Sequence, residues 1–491
     1  MTGVGNPTGQ ARDSIAADKS KPQDLLGGSI VQKFLVACVL AVALPLLAAL
    51  PASSSAGQPA TAAAATAAAP ATTVPTSLAA GSKWRPPRAP VFNNPFGNKK
   101  QRFRIERRLV KAINLTPAGE RIRISLYSFD RVDVAKAVIK ARNRGVRVQI
   151  LLNDHQVTKA IRMLRKRLGT NPKKRNFVYQ CHYSCRGRRD NLHTKFFLFS
   201  QTGAAERVLM FGSVNFTLNA VKWQWNDLAT VRSNNRAYEK FRRLFDDMRN
   251  DYESNQPFQT FCGRARDWRC NAITSQHFTR VFPRRSTANN DPVLNILKKV
   301  DCTYDTDNGM RRSHLKLSMH TMQGNRGEYI AEKIRQMHAD GCDFKVIYGL
   351  MGWHVKKMLG EVTPRGRIPL RSTGFDYNGD GDVERYTHHK YLTLNGKYGG
   401  KRVDMVFTGS SNWSNRGQWG DEIITTMHGS NLRRRYVTNF DMMWNSDTYT
   451  RNAYTTTKSS YRTRSGKVVT VTTEENHPDR LGTGSPTWEA D

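Results

Sequence analysis

An internal repeat constrains the fold of this chain more than any other feature of its sequence. Residues 122–154 and 315–349 each contain a run with strand-like alternation, a segment with helical periodicity and a second, β-branched run. The two helical segments are predicted to end at Gly145 and Gly341. Strand, helix and strand in this order favour a crossover between parallel strands. The repeat therefore predicts an α/β protein of two related units, each a mostly parallel mixed sheet flanked by helices.

Changes in composition place the boundaries of these units. The stretches VFNNP at 91 and VFP at 281 open the two units in a similar way, and few apolar residues lie between 57 and 90. The predicted segments are a signal peptide (1–56), an Ala/Thr/Pro-rich linker (57–90), unit 1 (91–258), a connecting loop (259–279), unit 2 (280–450) and a C-terminal tail (451–491).

The N-terminal segment has the pattern of an export signal. A basic polar region precedes an apolar run from Phe34 to Leu50, and the small residues 54–56 follow at the spacing of a cleavage site. An uncleaved anchor is the alternative, but Pro45 inside the run favours cleavage. We therefore expect a secreted protein, cleaved near Ala56, in which no later segment is apolar enough to span a bilayer.

Export determines how the cysteines are interpreted. Six cysteines remain after cleavage, and an even number in an exported chain favours disulfides. Local pairing predicts the disulfides Cys181–Cys185, Cys262–Cys270 and Cys302–Cys342. A metal bound by His182 within CHYSC at 181–185 is the alternative, which we consider less favoured because no second cluster of ligands is nearby in sequence.

The charge of the chain indicates an anionic partner. The formal net charge is +37, from 77 Lys and Arg against 40 Asp and Glu. Such a balance favours nucleic acid, an anionic membrane surface or a phosphorylated substrate. Residues 162–176 contain seven basic residues and no acidic one. This segment is interpreted either as a solvated surface or as a rim that binds a polyanion.

Two short motifs recur at equivalent places in the repeat. The stretches NLHTKFFLFS at 191 and THHKYLTLNG at 387 each place a His-x-Lys pair at the head of an apolar run. Side chains alternate along a strand, so histidine and lysine share a face and His389 points away. Each pair is followed by Gly-Ser-x-Asn and an acid. The first set is His193, Lys195, Gly212, Ser213, Asn215 and Asp227; the second is His388, Lys390, Gly409, Ser410, Asn412 and Glu422.

This duplicated pattern resembles the phospholipase D superfamily, whose mark is His-x-Lys-x(4)-Asp followed by Gly-Ser-x-Asn. The resemblance covers roughly residues 91–450 and implies one bilobal catalytic unit. The chain departs from the motif at the Asp position, where it has Ser200 and Asn395. Because of strand alternation, these two residues should face away from the histidines and support the fold.

The resemblance also implies the role of each residue. It makes His193 the nucleophile that becomes phosphorylated and His388 the acid, although the near symmetry of the halves allows the reverse. Lys195 and Lys390 would supply positive charge around the phosphoryl oxygens, and Asn215 and Asn412 neutral donors. Ser213 and Ser410 are supporting residues. Glu422, and either Asp227 or Asn226, would orient the histidines through the far ring nitrogen. No cofactor or metal is expected.

The favoured interpretation is a secreted phospholipase D-type hydrolase that acts on phospholipid head groups at a membrane surface. The alternatives are a metal-independent endonuclease for DNA or RNA and an inactive polyanion-binding module. Tryptophans near the Gly-Ser-x-Asn segments suit membrane contact, base stacking or core packing; they are Trp223, Trp225, Trp413 and Trp419. A monomer is expected because one chain contains both half-sites.

The stretch DYNGDGD at 376–382 has the opening of a calcium loop. Its twelfth position, however, is Thr387, where such a loop needs a bidentate glutamate. We therefore interpret it as an Asp/Gly-rich turn before the catalytic strand, with calcium binding as the alternative.

Overall fold

The computed structural model describes residues 82–254, 277–284, 286–374, 383 and 385–476. The predicted signal peptide, most of the two connecting segments, the pair Cys262–Cys270 and residues 376–382 lie outside the described residues. Residues 82–476 belong to one compact unit that contains both repeats.

The first repeat forms a seven-stranded sheet with the order β1-β8-β6-β5-β2-β3-β4. Its described strands are β1 (Val91–Phe92), β2 (Arg121–Leu126), β3 (Arg147–Asn153), β4 (Phe177–Cys181), β5 (Phe196–Thr202), β6 (Ala205–Gly212), β7 (Gln224–Trp225, outside this sheet) and β8 (Asp227–Val231). Its described helices are α1 (Lys99–Arg102), α2 (Arg104–Asn114), α3 (Val132–Asn143), α4 (Lys159–Leu168), α5 (Leu218–Lys222) and α6 (Asn235–Met248).

The second repeat forms a ten-stranded sheet. The described strands of this repeat are β9 (His277–Val281), β10 (Val300–Asp301), β11 (Thr303–Thr306), β12 (Gly309–Arg312), β13 (His314–Gln323), β14 (Asp343–Met351), β15 (Leu370–Ser372), β16 (Tyr386–Thr387), β17 (Lys390–Tyr398), β18 (Lys401–Gly409), β19 (Trp413–Ser414), β20 (Ile423–His428) and β21 (Arg451–Asn452). Three of them lie outside the ten-stranded sheet: β11 pairs with β12, and β16 pairs with β7 of the first repeat. Its described helices are α7 (Pro292–Leu297), α8 (Gly324–Ala339), α9 (Trp353–Gly360), α10 (Arg416–Trp419) and α11 (Ser430–Trp444). The main order is β21-β15-β14-β13-β17-β18-β20-β9; β10 pairs with β17, and β19 with β13.

The predicted strand, helix and strand are confirmed in both repeats. β2 pairs in parallel with β3 across α3, and β13 pairs in parallel with β14 across α8. Both helices end two residues before the predicted glycine. Gly145 and Gly341 have φ values of 96° and 105°, a region that a side chain disfavours, so they turn the chain out of the helix.

The mixed α/β fold is confirmed, but parallel pairing is less extensive than the sequence predicted. In the first sheet only β2–β3 and β3–β4 are parallel; β2–β5, β5–β6, β6–β8 and β1–β8 are antiparallel. One of these antiparallel pairs, β5–β6, has a local reason. The chain between β5 and β6 reverses in a tight turn at Gly203, and hairpin connections can join only antiparallel strands.

The two repeats pack against each other through shared apolar clusters and a strand pair. β7 of the first repeat pairs in parallel with β16 of the second. Trp225 lies in a cluster with Tyr391, Val406 and Tyr436 of the other repeat. Trp225 and Trp413 are therefore core residues. Trp223 is half-buried and lies against the Arg385 guanidinium, and Trp419 is exposed.

Disulfides join Cys181 to Cys185 and Cys302 to Cys342, which confirms two of the three predicted pairs. Because both sulfurs of CHYSC are used in a disulfide, the metal alternative for this segment is wrong. The chain continues beyond β21 into a hairpin of β22 (Tyr454–Arg462) and β23 (Val468–Asn476). Within the described ranges, no helix has the length and apolar character required to cross a membrane.

Candidate active site

The two His-x-Lys pairs lie where strands β5 and β17 begin: His193 and Lys195 precede β5, whereas Lys390 is the first residue of β17. Each start lies beside the carboxyl-terminal part of the first strand of the same repeat, β2 or β13. The sequence predicted them within the strands. Instead, β5 begins at Phe196 and β17 at Lys390, because the chain around each histidine pairs with the opposite repeat. The His193 amide donates to the Asp421 carbonyl at 3.0 Å, and the His388 amide donates to the Trp225 carbonyl at 2.9 Å.

A carboxylate from the second repeat orients the first histidine. His193 is 4% exposed, and its Nδ1 lies 2.6 Å from Oε1 of Glu422, which is 2% exposed. A carboxylate only accepts, so Nδ1 carries the proton and Nε2 is the ring nitrogen that can act as a nucleophile. The contact also favours positive charge on the ring, because the negative partner is buried beside it.

A neutral amide from the first repeat orients the second histidine. Nδ1 of His388 lies 2.9 Å from Oδ1 of Asn226. The amide group of Asn226 donates to the Ala220 carbonyl at 3.2 Å, so its oxygen faces the imidazole. His388 is therefore a donor at Nδ1, like His193, but to a partner without charge. Each repeat thus holds the histidine of the other.

Asp227 does not contact the imidazole of His388, and of the two predicted candidates Asn226 takes that position. The Asp227 carboxylate accepts from Thr408 Oγ1 at 2.7 Å and from Tyr436 OH at 2.9 Å. Complete burial raises its pKa, and these hydrogen bonds offset part of the rise.

Strand register explains this correction. Gly212 pairs with Leu228 in the first repeat, and Gly409 pairs with Ile424 in the second. Asn226 lies two residues before Leu228, and Glu422 lies two residues before Ile424, so Asn226 and Glu422 occupy equivalent positions. The sequence had instead paired Asp227 with Glu422, because both follow their histidine by the same number of residues. A shift of one residue reverses the face to which a side chain points.

The serines of the two Gly-Ser-x-Asn segments fix the start of the next strand. Ser213 Oγ accepts from the Asp227 amide at 3.1 Å and donates to Asn226 Oδ1 at 2.9 Å. In the same way, Ser410 Oγ accepts from the Ile423 amide at 3.1 Å. Ser213 therefore holds Asn226 directly, and Ser410 holds the residue that follows Glu422.

The lysines and asparagines of the motifs are buried at the same junction. Lys195 Nζ donates to the His193 carbonyl at 2.9 Å and lies 5.4 Å from the centre of the Tyr127 ring. Asn215 Oδ1 accepts from the Ser128 amide at 3.3 Å. Lys390 and Asn412 are 4% and 2% exposed. Two buried ammonium groups beside the histidines make the site suited to an anionic group.

Two residues that sequence reasoning missed lie beside the histidines. The Tyr127 ring is 5.1 Å from that of His193, and the His320 ring is 4.8 Å from that of His388. Ser125 pairs with Phe196 and Ser318 with Tyr391, so Tyr127 and His320 follow equivalent positions. The available signal was their equivalent place in the first strand region of each repeat, just after β2 for Tyr127 and near the end of β13 for His320. Alignment of the two repeats with each other detects this equivalence, whereas a search for the His-x-Lys and Gly-Ser-x-Asn motifs does not.

Asp421 links the disulfide loop to the first half-site. Its carboxylate accepts from the Cys185 amide at 2.6 Å and from Arg186 Nε at 2.8 Å, while its carbonyl holds His193. Burial raises the pKa of Asp421 to about 6 despite the Arg186 guanidinium. The Cys181–Cys185 loop therefore stabilises the segment that leads into the motif.

Several other predicted positions lie away from the histidines. Ser200 Oγ accepts from the Arg121 amide at 2.7 Å, and Asn395 Nδ2 donates to Asp404 Oδ1 at 2.9 Å; both contacts stabilise strands. His389 packs between aromatic rings, and burial lowers its pKa to about 3. The basic segment 162–176 runs from α4 to the amino end of β4, so its last residues lie at the strand ends opposite the histidines. At its start, Arg162 donates to the Val157 carbonyl at 2.8 Å, beyond the carboxyl end of β3.

Exposed apolar side chains follow the strand ends that carry the site. They occur in the segments after β3, after β4 and after each Gly-Ser-x-Asn motif. We call these four side chains the apolar rim; they are Val157, Tyr183, Leu218 and Trp419. Tyr183 is 45% exposed and Trp419 is 38% exposed. Aromatic residues with one apolar and one polar side are common where a protein meets a membrane surface.

Comparison with known proteins places the two repeats in a family. The family model described as "Cardiolipin synthase, PLD-like domain" matches residues 110–249 and 310–444, together more than half of the chain. No curated protein sequence matches the chain.

Solved structures give low overall similarity. Phosphatidylserine synthase from Haemophilus influenzae is 10% identical, with 74% of this chain and 87% of that chain covered and a TM-score of 0.46. The phospholipase D family member NUC from Salmonella typhimurium is 20% identical, with 34% and 97% covered and a TM-score of 0.26. Polyphosphate kinase from Porphyromonas gingivalis is 13% identical, with 72% and 49% covered and a TM-score of 0.45, so this chain spans about half of that protein.

Proposed function

This chain belongs to the phospholipase D superfamily of phosphodiesterase-like proteins, and we propose that it is a secreted hydrolase that cleaves the head-group phosphodiester of phospholipids. The observation that carries the proposal is the exchange of orienting groups between the repeats. Glu422 holds His193 and Asn226 holds His388, with Lys195 and Lys390 buried beside them.

In the first step Nε2 of His193 attacks phosphorus, and the bond from phosphorus to the leaving oxygen breaks. His388 gives its Nε2 proton to that oxygen, which leaves as an alcohol. The lysines stabilise the charge that builds on the phosphoryl oxygens. Both histidines use Nε2 because Nδ1 of each is occupied by the opposite repeat.

In the second step the now neutral His388 takes a proton from water, and the water oxygen attacks phosphorus. The bond between phosphorus and His193 breaks, which releases the phosphate product and restores both histidines. Glu422 supports His193 as the nucleophile. A phosphorylated imidazole carries positive charge, and a buried carboxylate stabilises that charge where the amide of Asn226 cannot.

Two observations support a lipid substrate. The apolar rim follows strand ends on the side of the sheets where the histidines lie, which suits an enzyme that must withdraw a head group from a bilayer. The matching family model is named after cardiolipin synthase, and cardiolipin is a phospholipid. A nuclease would use the same chemistry, and the net charge of +37 is the observation that favours it.

Export is part of the same proposal. The two disulfides agree with an oxidising compartment, in which such bonds persist. A membrane surface outside the cell would then be the partner, and the basic chain would be attracted to anionic lipids.

A paired assay tests the substrate. The purified mature protein is incubated with phosphatidylcholine/phosphatidylglycerol vesicles, and separately with single- and double-stranded DNA and RNA, in one buffer containing EDTA across a salt series. We expect released head group, lost in both His193→Ala and His388→Ala. Rapid nucleic-acid cleavage without head-group release would contradict the lipid proposal and identify a nucleic acid as the substrate. Turnover of neither would leave an inactive binding module.

The apolar rim has its own control. We expect Tyr183→Ser with Trp419→Ser to lower vesicle turnover about tenfold or more, since each loses interfacial contact. Hydrolysis of the water-soluble diester bis(p-nitrophenyl) phosphate should stay within about twofold of the wild-type rate, because the histidines are untouched. Equal loss on both substrates would show that the rim acts on the fold and not on the membrane.

A further inference from the structure

A basic cavity lies at the ends of strands β8 and β20 that are farther from the histidines. Both strands begin beside the catalytic motifs at Asp227 and Ile423, and the cavity is lined by the residues that follow their far ends. Five strand residues at about 3.3 Å each place it on the order of 15 Å from the catalytic edge. Its volume is about 590 Å³, the size of a site for a small ligand.

Arginines from three separated parts of the chain meet in this cavity, which we call the arginine cleft. Arg88 precedes β1, Arg232 follows β8 and Arg435 lies on α11. None of the described residues that line it carries a carboxylate. The nearby Asp404 accepts from Arg433 and so is already paired.

The arginines around the cleft repel one another. Burial lowers the pKa of Arg232, and the positive charges of Arg88 and Arg85 lower it further. Burial likewise lowers the pKa of Arg108 to about 10, with Arg104 and Arg435 adding to the effect. No carboxylate contributes to raising the pKa of either Arg232 or Arg108. Such an arrangement raises the free energy of the folded protein unless an anion enters.

Two helices also direct their amino ends at the cleft. Asn234, the N-cap of α6, and Asn431, in the first turn of α11, both line it. No side chain caps the first turn of α11, whose preceding residue Gly429 has a φ of 132°. The positive ends of two helix dipoles therefore add to the three guanidinium groups.

A second cavity of similar volume adjoins the first. It shares Ala89, Pro90 and Arg435 with the cleft and is lined further by Arg104 and Arg108. No described residue that lines it has a carboxylate. The two cavities together form a continuous basic surface on both sides of the segment that contains Arg88.

We propose that the arginine cleft is a binding site for a phosphate-bearing anion, separate from the catalytic histidines. Guanidinium groups bind phosphate oxygens in pairs of hydrogen bonds, and three of them from different directions suit a group with two or more negative charges. A soluble polyphosphate and the head group of an anionic phospholipid share this chemistry. The position far from the histidines makes the ligand an additional molecule and not the substrate being cleaved.

Chemical protection locates the ligand on individual arginines. The full-length mature protein is treated with phenylglyoxal, and modification of each arginine is measured by mass spectrometry without ligand, with inorganic pyrophosphate and with phosphatidylglycerol vesicles. We expect Arg88, Arg232 and Arg435 to be protected about fivefold or more, while the exposed Arg311 and Arg312 react at an unchanged rate. Protection by pyrophosphate alone identifies a soluble phosphate, and protection by vesicles alone identifies a lipid head group. Protection by neither overturns the proposal.

Matched triple variants test affinity. Pyrophosphate binding is measured by calorimetry for Arg88→Gln/Arg232→Gln/Arg435→Gln and for the control Arg142→Gln/Arg311→Gln/Arg312→Gln, which removes the same charge elsewhere. We expect the cleft variant to lose one class of pyrophosphate-binding site, or to bind pyrophosphate at least about tenfold more weakly. The control variant should bind pyrophosphate with the same number of sites and the same affinity as wild type. Hydrolysis of bis(p-nitrophenyl) phosphate should be unchanged in either, so that this site and the catalytic proposal can fail independently.

The melting temperature separates ligand binding from a structural role. Because the cleft arginines repel one another, their replacement should leave the melting temperature unchanged or raise it. The single variant Arg232→Gln provides the same test with one substitution. A fall in melting temperature together with unchanged pyrophosphate binding would show that the arginines stabilise the fold, and it would overturn the proposal.

Discussion

The two half-sites share one framework and differ in the charge of a single group. In each, a serine of Gly-Ser-x-Asn holds the start of the next strand, and the residue before that strand reaches the histidine of the other repeat. That residue is Glu422 on His193 and Asn226 on His388. Near-symmetry of the backbone is therefore combined with asymmetry of charge.

The difference teaches how a duplicated fold can assign two roles. A carboxylate favours the charged imidazole that a covalent intermediate requires. A neutral amide fixes the tautomer and leaves the proton easier to give to a leaving group. The adjacent Asp227 instead accepts from Thr408 and Tyr436 of the other repeat.

Loss of either histidine should have the largest effect. We expect His193→Ala and His388→Ala to lower kcat/KM at least about 10³-fold, since each removes a group that makes or breaks a bond. The two should differ in labelling. With a ³²P-labelled diester that has a p-nitrophenol leaving group, His388→Ala should accumulate phosphoprotein and His193→Ala should form none. The reverse pattern would exchange the roles of the half-sites.

Removal of the carboxylate should have the next largest effect. We expect Glu422→Gln to lower kcat/KM by about 10²- to 10⁴-fold, because the ring loses both its charge partner and its preferred tautomer. Steady-state kinetics with the soluble diester measures this. The surface variant Glu332→Gln, which removes one exposed carboxylate, is the control. A loss below about tenfold would mean that the charge on Glu422 is not important for His193.

A carboxylate in place of the amide that contacts His388 should make the two half-sites alike. In Asn226→Asp the new charge holds the proton of His388 more firmly, so that it becomes a weaker acid and a stronger base. We expect kcat/KM at pH 7 to fall about tenfold and the alkaline limb of the pH profile to move up by about one unit. A profile that keeps its shape and position would show that the charge difference has no catalytic role.

The smallest effect is expected at Asp227, the sequence-matched counterpart of Glu422. Asp227→Asn should keep kcat/KM within about threefold, because the side chain does not contact a histidine. At pH 7 its free energy of unfolding should lie within about 1 kcal/mol of wild type or above it, since the buried charge is removed.

The sign of the pH dependence follows from the raised pKa of Asp227. The folded protein holds this proton to higher pH than the unfolded chain, so the contribution of Asp227 to stability falls as pH rises above the ordinary carboxyl value of 3.8. Urea denaturation at pH 4 and pH 7 should show a larger decline for wild type than for Asp227→Asn. An equal decline in both would contradict burial as the cause.

Much of the framework could be predicted from local patterns. Alternation and helical periodicity predicted β2–α3–β3 and β13–α8–β14, because these depend on residues close in sequence. Antiparallel pairing of β5 with β2 was not predicted, since it joins strands that are distant in the chain. The short disulfide Cys181–Cys185 was predicted because its partners are neighbours.

The sequence by itself identified the candidate residues for the chemistry, because His-x-Lys and Gly-Ser-x-Asn are each short and are present twice. Only the tertiary structure decided their partners. Register between β6 and β8 placed Asn226 rather than Asp227 on His388, and packing of the repeats brought Glu422 to His193. The arginine cleft likewise combines residues 88, 232 and 435. Such contacts depend on long-range strand pairing, and a one-residue change in register redirects a side chain without altering any local pattern.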